Sequence, residues 1–224
     1  MAKNKEKIQW KNQLVNLIAI IIGVYVAFYL TERSANANSR QQAQTYLSSM
    51  VDDLEVDIAS LSIATDTLAS FLKVSRMLTN SILSQRIPED SVQMMINSLY
   101  LIVPFTPQDN SYQLLKTSGK FDAISDLDLR RKITELYYQH YGAIKVADDL
   151  TNQQRTVIIL PYLMKNIRYS STGLHNAEAL WKDNMFANLA FSNQFALLMK
   201  YQLDSAALVK AKELHAGLLT ALKK

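Results

Sequence analysis

Three histidines, at positions 140, 175 and 215, are the only imidazoles of a chain that has no cysteine. They are scattered, with no H-E-x-x-H pattern and no paired spacing, so the three or four converging ligands of a zinc site are not readable. The acidic run Asp52-Asp53-x-Glu55-x-Asp57 sets Asp53 and Asp57 one helical turn apart. That spacing could hold a divalent cation, but the glycine turn and alternating ligands of a calcium loop are missing. The run reads as a solvated helix face, and Asp148-Asp149 reads the same way. Arg130-Arg131-Lys132 stands beside Asp126 and Asp128 and suggests surface pairing before anion binding. There is no glycine-rich phosphate loop and no G-x-S-x-G elbow, and Ser118-Gly119-Lys120 lacks the spacing of an S-x-x-K nucleophile. The expectation is a protein that is not an enzyme and uses neither a metal nor a cofactor. One patch remains, Tyr137-Tyr138-Gln139-His140-Tyr141. It lines a pocket or interface if its members share a face; core or rim packing is its plainer role. His215 is expected to be a partly buried residue of the last helix.

The elements that would position these residues begin with a greasy segment. Leu14 to Leu30 carries no formal charge and follows Lys3, Lys5, Lys7 and Lys11. Extended back to Trp10 it reaches about 31 Å as a helix, enough for a hydrocarbon core of roughly 30 Å. Trp10, Leu14, Ile18, Ile22, Tyr25 and Tyr29 form the expected membrane anchor, with the aromatic residues at the wet edges. The lysine excess before the span predicts a cytoplasmic N-terminus and an exported bulk, which in a Gram-negative cell means the periplasm. The division expected is a basic cytoplasmic tail over 1–13, a transmembrane helix over 14–30 and a helical periplasmic domain over 31–224. Ala35-Asn36-Ala37 has the form of a signal-peptidase site, so cleavage near Ala37 is the alternative to a retained signal anchor. The apolar run is longer than a usual signal core, and Glu32 and Arg33 intervene, which favours retention.

The first thirty residues hold four of the 24 basic and one of the 20 acidic residues. The remainder is therefore nearly neutral and has no basic stripe, which argues against nucleic acid as a partner. Five glycines and four prolines in 224 residues leave little turn chemistry and point to long helices.

The fold class expected is all-α: one transmembrane helix running on into a long helix that packs in a periplasmic bundle. Steps of four and three trace a seam through Leu47, Val51, Leu54, Ile58, Leu61, Thr65, Leu68, Leu72, Ser75, Thr79 and Ile82. It predicts a helix from Ser39 to Gln85, its seam laid against the chain's own bundle or, alternatively, against a second copy as a parallel coiled coil. Pro88 ends this rod. A short helix is expected from Glu89 to Leu101, then a loop through Val103-Pro104-Phe105-Thr106-Pro107. Two turns over Ser111 to Thr117 close at Gly119. Ser125, with Asp128 three residues on, opens a helix that runs to about Tyr169 with a kink at Pro161. Ser170 to Gly173 reads as a turn. Helices over Asn176 to Ala190 and Ser192 to Leu222 finish the chain, the last with Leu198, Tyr201, Leu208, Lys212, His215, Leu218 and Leu222 on one side.

Tyr46-Leu47-x-x-Met50-x-x-Asp53-Leu54 after a single span, followed by Ser111-Tyr112-Gln113-Leu114-Leu115-x-x-Ser118-Gly119, resembles an uncharacterised bacterial family of single-pass inner-membrane proteins. Ile124, Leu127, Leu129, Arg130, Ile133, Leu136 and Tyr137 extend the likeness to about half of the chain. The resemblance implies a helical periplasmic domain on a membrane anchor and no reaction. The partners expected are the lipid bilayer and a protein, either another chain or a second copy. The function expected is a membrane-anchored interaction or scaffold module of the cell envelope, with a ligand-sensing bundle acting through a separate membrane partner as the alternative.

Overall fold

The computed structural model describes residues 2–170 and 173–223. One helix, α1 (Ala2–Leu83, 82 residues), carries the apolar segment and the seam without a break. At 1.5 Å per residue it is about 120 Å long. It contains the one stretch among the described residues that is long and apolar enough to cross a membrane, and none of the other described residues covers that stretch. Trp10, Leu14, Ile18, Ile22, Tyr25 and Tyr29 are all exposed along it.

From Ala43 onward α1 lies in a bundle. Its buried positions Ala43, Leu47, Met50, Leu54, Asp57, Leu61, Ala64 and Leu68 follow steps of four and three, then Leu72, Ser75, Thr79 and Ile82 resume after one extra step of four. The partner is the last helix, α8 (Asn184–Leu222). Its buried row Phe186, Ala190, Asn193, Leu197, Lys200, Asp204, Ala207, Ala211, Leu214 and Leu218 keeps the same alternation throughout. The pair is antiparallel: Ala43–Leu61 share a core with Ala207–Leu218, whereas Leu78 and Ile82 share one with Phe186–Ala190. Fully buried Ala190, Ala207 and Ala211 present no bulk beyond Cβ, which allows close approach of the two backbones. The seam expected on α1 is thus satisfied within one chain. Leu47, Val51, Leu54, Leu61, Leu68 and Leu72 are buried, but the position assigned to Ile58 belongs to Asp57, and Ile58 is only partly covered.

The segment after Pro88 is shorter than expected, a 3-10 turn (Glu89–Ser91) and α2 (Val92–Asn97). A loop over 101–109 leads to α3 (Asn110–Thr117), closed by Gly119 at φ 69°, the left-handed cap that glycine adopts freely. The next rod starts at α4 (Leu127–Thr134). Its cap is Asp126, not Ser125: the Asp126 carboxylate accepts from the Asp128 and Leu129 amides. The rod continues through a π turn (Glu135–His140), α5 (Tyr141–Gln154), a second π turn (Arg155–Ile159) and α6 (Leu160–Asn166). Pro161 thus follows a widened turn inside an unbroken rod, which ends at Asn166, short of Tyr169.

Two-residue strands β1 (Tyr169–Ser170) and β2 (Gly173–Leu174) pair antiparallel, and Ser171 and Thr172 of the expected turn lie outside the described residues. Helix α7 (Ala177–Trp181) ends well before Ala190. The break falls at Lys182-Asp183, where the Asp183 carboxylate accepts from the Met185 amide and starts α8. No break occurs near Phe191. The inward row of α8 includes Leu218, as expected, but is otherwise one step away from the expected one. Lys212 is exposed, and Leu198, Tyr201, Leu208 and Leu222 are only partly buried.

Two cores result, joined by a thin waist. The core nearer the apolar segment gathers α1, α3, α4, α5 and α8, and the distal core gathers α1, α2, α6, α7 and α8. Between them the buried apolar residues among those described are Ala64, Leu68, Leu72 and Leu197. The inward row of α5 explains the thinning. Between buried Ile144 and buried Ile159 it offers Ala147, Asp148, Thr151 and Arg155, none of which is fully buried.

Candidate functional site

Carboxylates pin the waist. Phe105 donates its amide to Asp148 Oδ2 at 3.1 Å, Gln108 donates to Asp57 Oδ1 at 2.8 Å, and Ser111 donates to Asp53 Oδ2 at 3.2 Å. Arg155 Nη1 donates to the Tyr100 carbonyl at 3.0 Å. The loop over 101–109 lacks its own backbone ladder, so α1 and α5 supply the acceptors that its amides need. The solvated-face reading of Asp53, Asp57 and Asp148 is therefore corrected: Asp57 is 1% exposed, and Asp53 and Asp148 are half-buried. Asp149 is exposed, as expected, with Lys145 3.9 Å away.

Burial pushes the Asp57 carboxyl up to about 6, against the Gln108 amide and the Tyr141 hydroxyl, which lower it. The Tyr141 hydroxyl faces that carboxylate without a well-aligned hydrogen bond. Burial first, then the Asp57 charge, holds the Tyr137 and Tyr141 hydroxyls far above the usual phenol range.

These tyrosines belong to an inward aromatic cluster. Tyr137 stacks on Tyr112 with ring centroids 4.5 Å apart and meets Tyr141 edge-on at 5.3 Å; Tyr141 in turn tilts against Phe105 at 5.1 Å. The expected patch is thereby divided. Tyr137 and Tyr141 are core residues, whereas Tyr138 is exposed and edges a shallow cleft with Tyr112, Lys116 and Phe121. His140 is half-buried, 3.7 Å from Glu135. The π turn produces this split: its extra residue per turn brings Tyr141 inward where a regular helix would have carried His140. His215, partly buried as expected, lies 3.4 Å from Glu55.

The second charged group of the waist carried no sequence signal. Lys200, 5% exposed, places Nζ 2.7 and 3.0 Å from the two oxygens of fully buried Asp204 and 3.2 Å from Asp148 Oδ1. The ammonium donates to both Asp204 oxygens and is ion-paired with Asp148 as well. Burial lifts the Asp204 carboxyl to about 6, and Lys200 opposes that rise. Exact heptad spacing on α8 is the one feature that could have located Lys200 and Asp204 from sequence.

Beside this group opens a cavity of about 220 Å³. Leu68, Val103, Pro104 and Leu197 make its apolar wall, and Asp148 and Lys200 make its polar end. Its rim exposes Leu101, Ile102 and Pro104, while Phe105 just beyond is buried. Among the described residues no group of three or more His, Asp or Glu residues is gathered as metal ligands would be. No family model matches the chain, and no curated protein or solved structure matches it.

Proposed function

We propose that this chain is a single-pass, membrane-anchored interaction module of the cell envelope that docks a protein partner on the face formed by the 101–104 loop and the adjoining cavity. The observation that carries this reading is the apolar run Leu101-Ile102-Val103-Pro104, exposed at Leu101, Ile102 and Pro104 and held in place by the amide contacts of Phe105, Gln108 and Ser111. Consecutive exposed apolar residues cost solubility, and a clamped loop cannot fold them away; a binding role accounts for both. A concave apolar site with a few polar groups at one end is the usual form of a recognition site.

The bare apolar stretch of α1 supports the anchor, and the lysines before it support a cytoplasmic N-terminus with the bundle in the periplasm. Leu68, at the cavity, is 38 residues beyond Leu30, about 57 Å out along a straight helix. The module then acts as a spacer that presents its docking face well away from the bilayer. Membership of the uncharacterised single-pass family is part of the same proposal. A ligand-sensing bundle is the second reading, favoured by the cavity itself.

Photo-crosslinking in native membranes tests the reading. A crosslinker at Ile102 should give one discrete adduct that a Leu101→Asp change removes, and a crosslinker at exposed Val209 should give none. An adduct of twice the chain's mass would make the partner a second copy. Equal labelling from both positions, or none from Ile102, would overturn the docking face. A C-terminal reporter active in the cytosol would overturn the orientation.

A further inference from the structure

We propose that the cavity receives a lysine side chain of the docked partner, its methylenes on the apolar wall and its ammonium at Asp148 and Asp149. This inference rests on the docking reading above and names what the partner inserts.

The charge balance of the cavity argues for a cation. Its ionic lining is Asp148, Asp149 and Lys200, and Asp204 stands directly behind Lys200. Lys200 is already flanked by two carboxylates, which compensate its charge and leave it a weak site for an incoming anion. Arg155, the next cation, is turned to the Tyr100 carbonyl and to Asn152 Oδ1. Acceptors, in contrast, remain. Asp148 uses one contact per oxygen, to Lys200 and to the Phe105 amide, and a carboxylate oxygen accepts more than one. Asp149 has only Lys145 at 3.9 Å, and both are exposed.

Size and shape select among cations. The cavity's 220 Å³ equals roughly seven waters at about 30 Å³ each, room for one unbranched side chain. Leu68, Val103, Pro104 and Leu197 line the path to the carboxylates, and a flexible four-carbon stem with a point charge at its tip suits that arrangement.

The probe is n-butylammonium, the lysine side chain alone, compared with n-butanol and butyrate at matched ionic strength. It is added to the isotope-labelled full-length protein in micelles, and the amide resonances of Val103, Asn152 and Ala196 are followed. Butylammonium should shift them saturably and bind about tenfold or more tightly than either control, since a hydrogen bond to a charged group is roughly twice as strong as a neutral one. Asp149→Asn, an exposed change that leaves the buried network alone, should remove most of that preference. Ala196→Phe, which fills the mouth, should abolish the saturable shifts. Equal affinity for the three probes, or shifts that persist unchanged in Ala196→Phe, would overturn the proposal. With Ile102 crosslinking intact, that failure removes the lysine and spares the docking face; loss of crosslinking as well removes both.

Discussion

Replacing Lys200 by Met tests the central electrostatic claim about the waist. Among the described residues Lys200 Nζ is the only cation in contact with Asp204, which is 0% exposed, and it also contacts Asp148. Methionine keeps the stem's volume and removes the charge, so buried Asp204 is left without its counterion, while half-buried Asp148 keeps the Phe105 amide. Removing one partner of a buried ion pair costs about 3–5 kcal/mol, a large share of the roughly 5–15 kcal/mol that holds a domain folded. With an m-value near 2 kcal/mol/M in urea, the midpoint should fall by about 1.5–2.5 M. Urea unfolding of the full-length protein in micelles, followed by far-UV circular dichroism, measures it. The double variant Lys200→Met/Asp204→Leu should recover most of the loss, because an apolar replacement of the whole pair is often neutral or better. In the single variant Asp204 should titrate still higher than about 6, so its deficit should shrink as pH falls towards 6 and be smaller at pH 5 than at pH 8. A loss under about 1 kcal/mol with unchanged slope, or a double variant no better than the single, would refute the assignment of Lys200 as the counterion of a buried carboxylate.

Three further outcomes follow from the same geometry. Asp57 and Asp204 are raised by burial from 3.8 to about 6; their protonated forms favour the folded state, so that contribution is present at acid pH and lost as pH rises through 6. Lowering pH from 7 to 5 should therefore raise the urea midpoint, and Asp57→Asn should flatten the rise; a midpoint that falls over this window contradicts the burial of both groups. Ala211→Leu overfills a fully buried contact between α8 and the core it shares with α1 and should cost about 1–3 kcal/mol, whereas Ile63→Ala on the exposed face should stay within about 0.5 kcal/mol by thermal unfolding. Ile22→Arg at the middle of the apolar stretch should cost insertion about 2.5–3.5 kcal/mol and shift protein from the carbonate-resistant membrane fraction to the soluble one.

Much of the architecture is legible from residue order. Sustained apolar spacing from Leu47 to Ile82, with no proline or glycine to interrupt it, forces one helix, and Gly119 marks a left-handed cap where one is needed. The reading failed on α8, where Lys200 and Asp204 occupy two inward heptad positions. A search for apolar rows passes over such a seam and settles on Leu198, Tyr201 and Leu208 one step away. It failed again at Tyr137 to Tyr141, because periodicity assumes 3.6 residues per turn and the π turn there adds one.

The charge-free segment before Thr31, the helical content and the heptad order of α1 are local properties, set by which side chains follow one another at a given spacing. The burial of Asp57, Asp148, Lys200 and Asp204 is not local. Lys200 and Asp204 pair one turn apart on α8, but the other two meet partners from another element: the Gln108 amide for Asp57, and α8's Lys200 for α5's Asp148. Those partners lie dozens of residues away in the chain, so only the folded bundle could decide which carboxylates face water and which hold the loop.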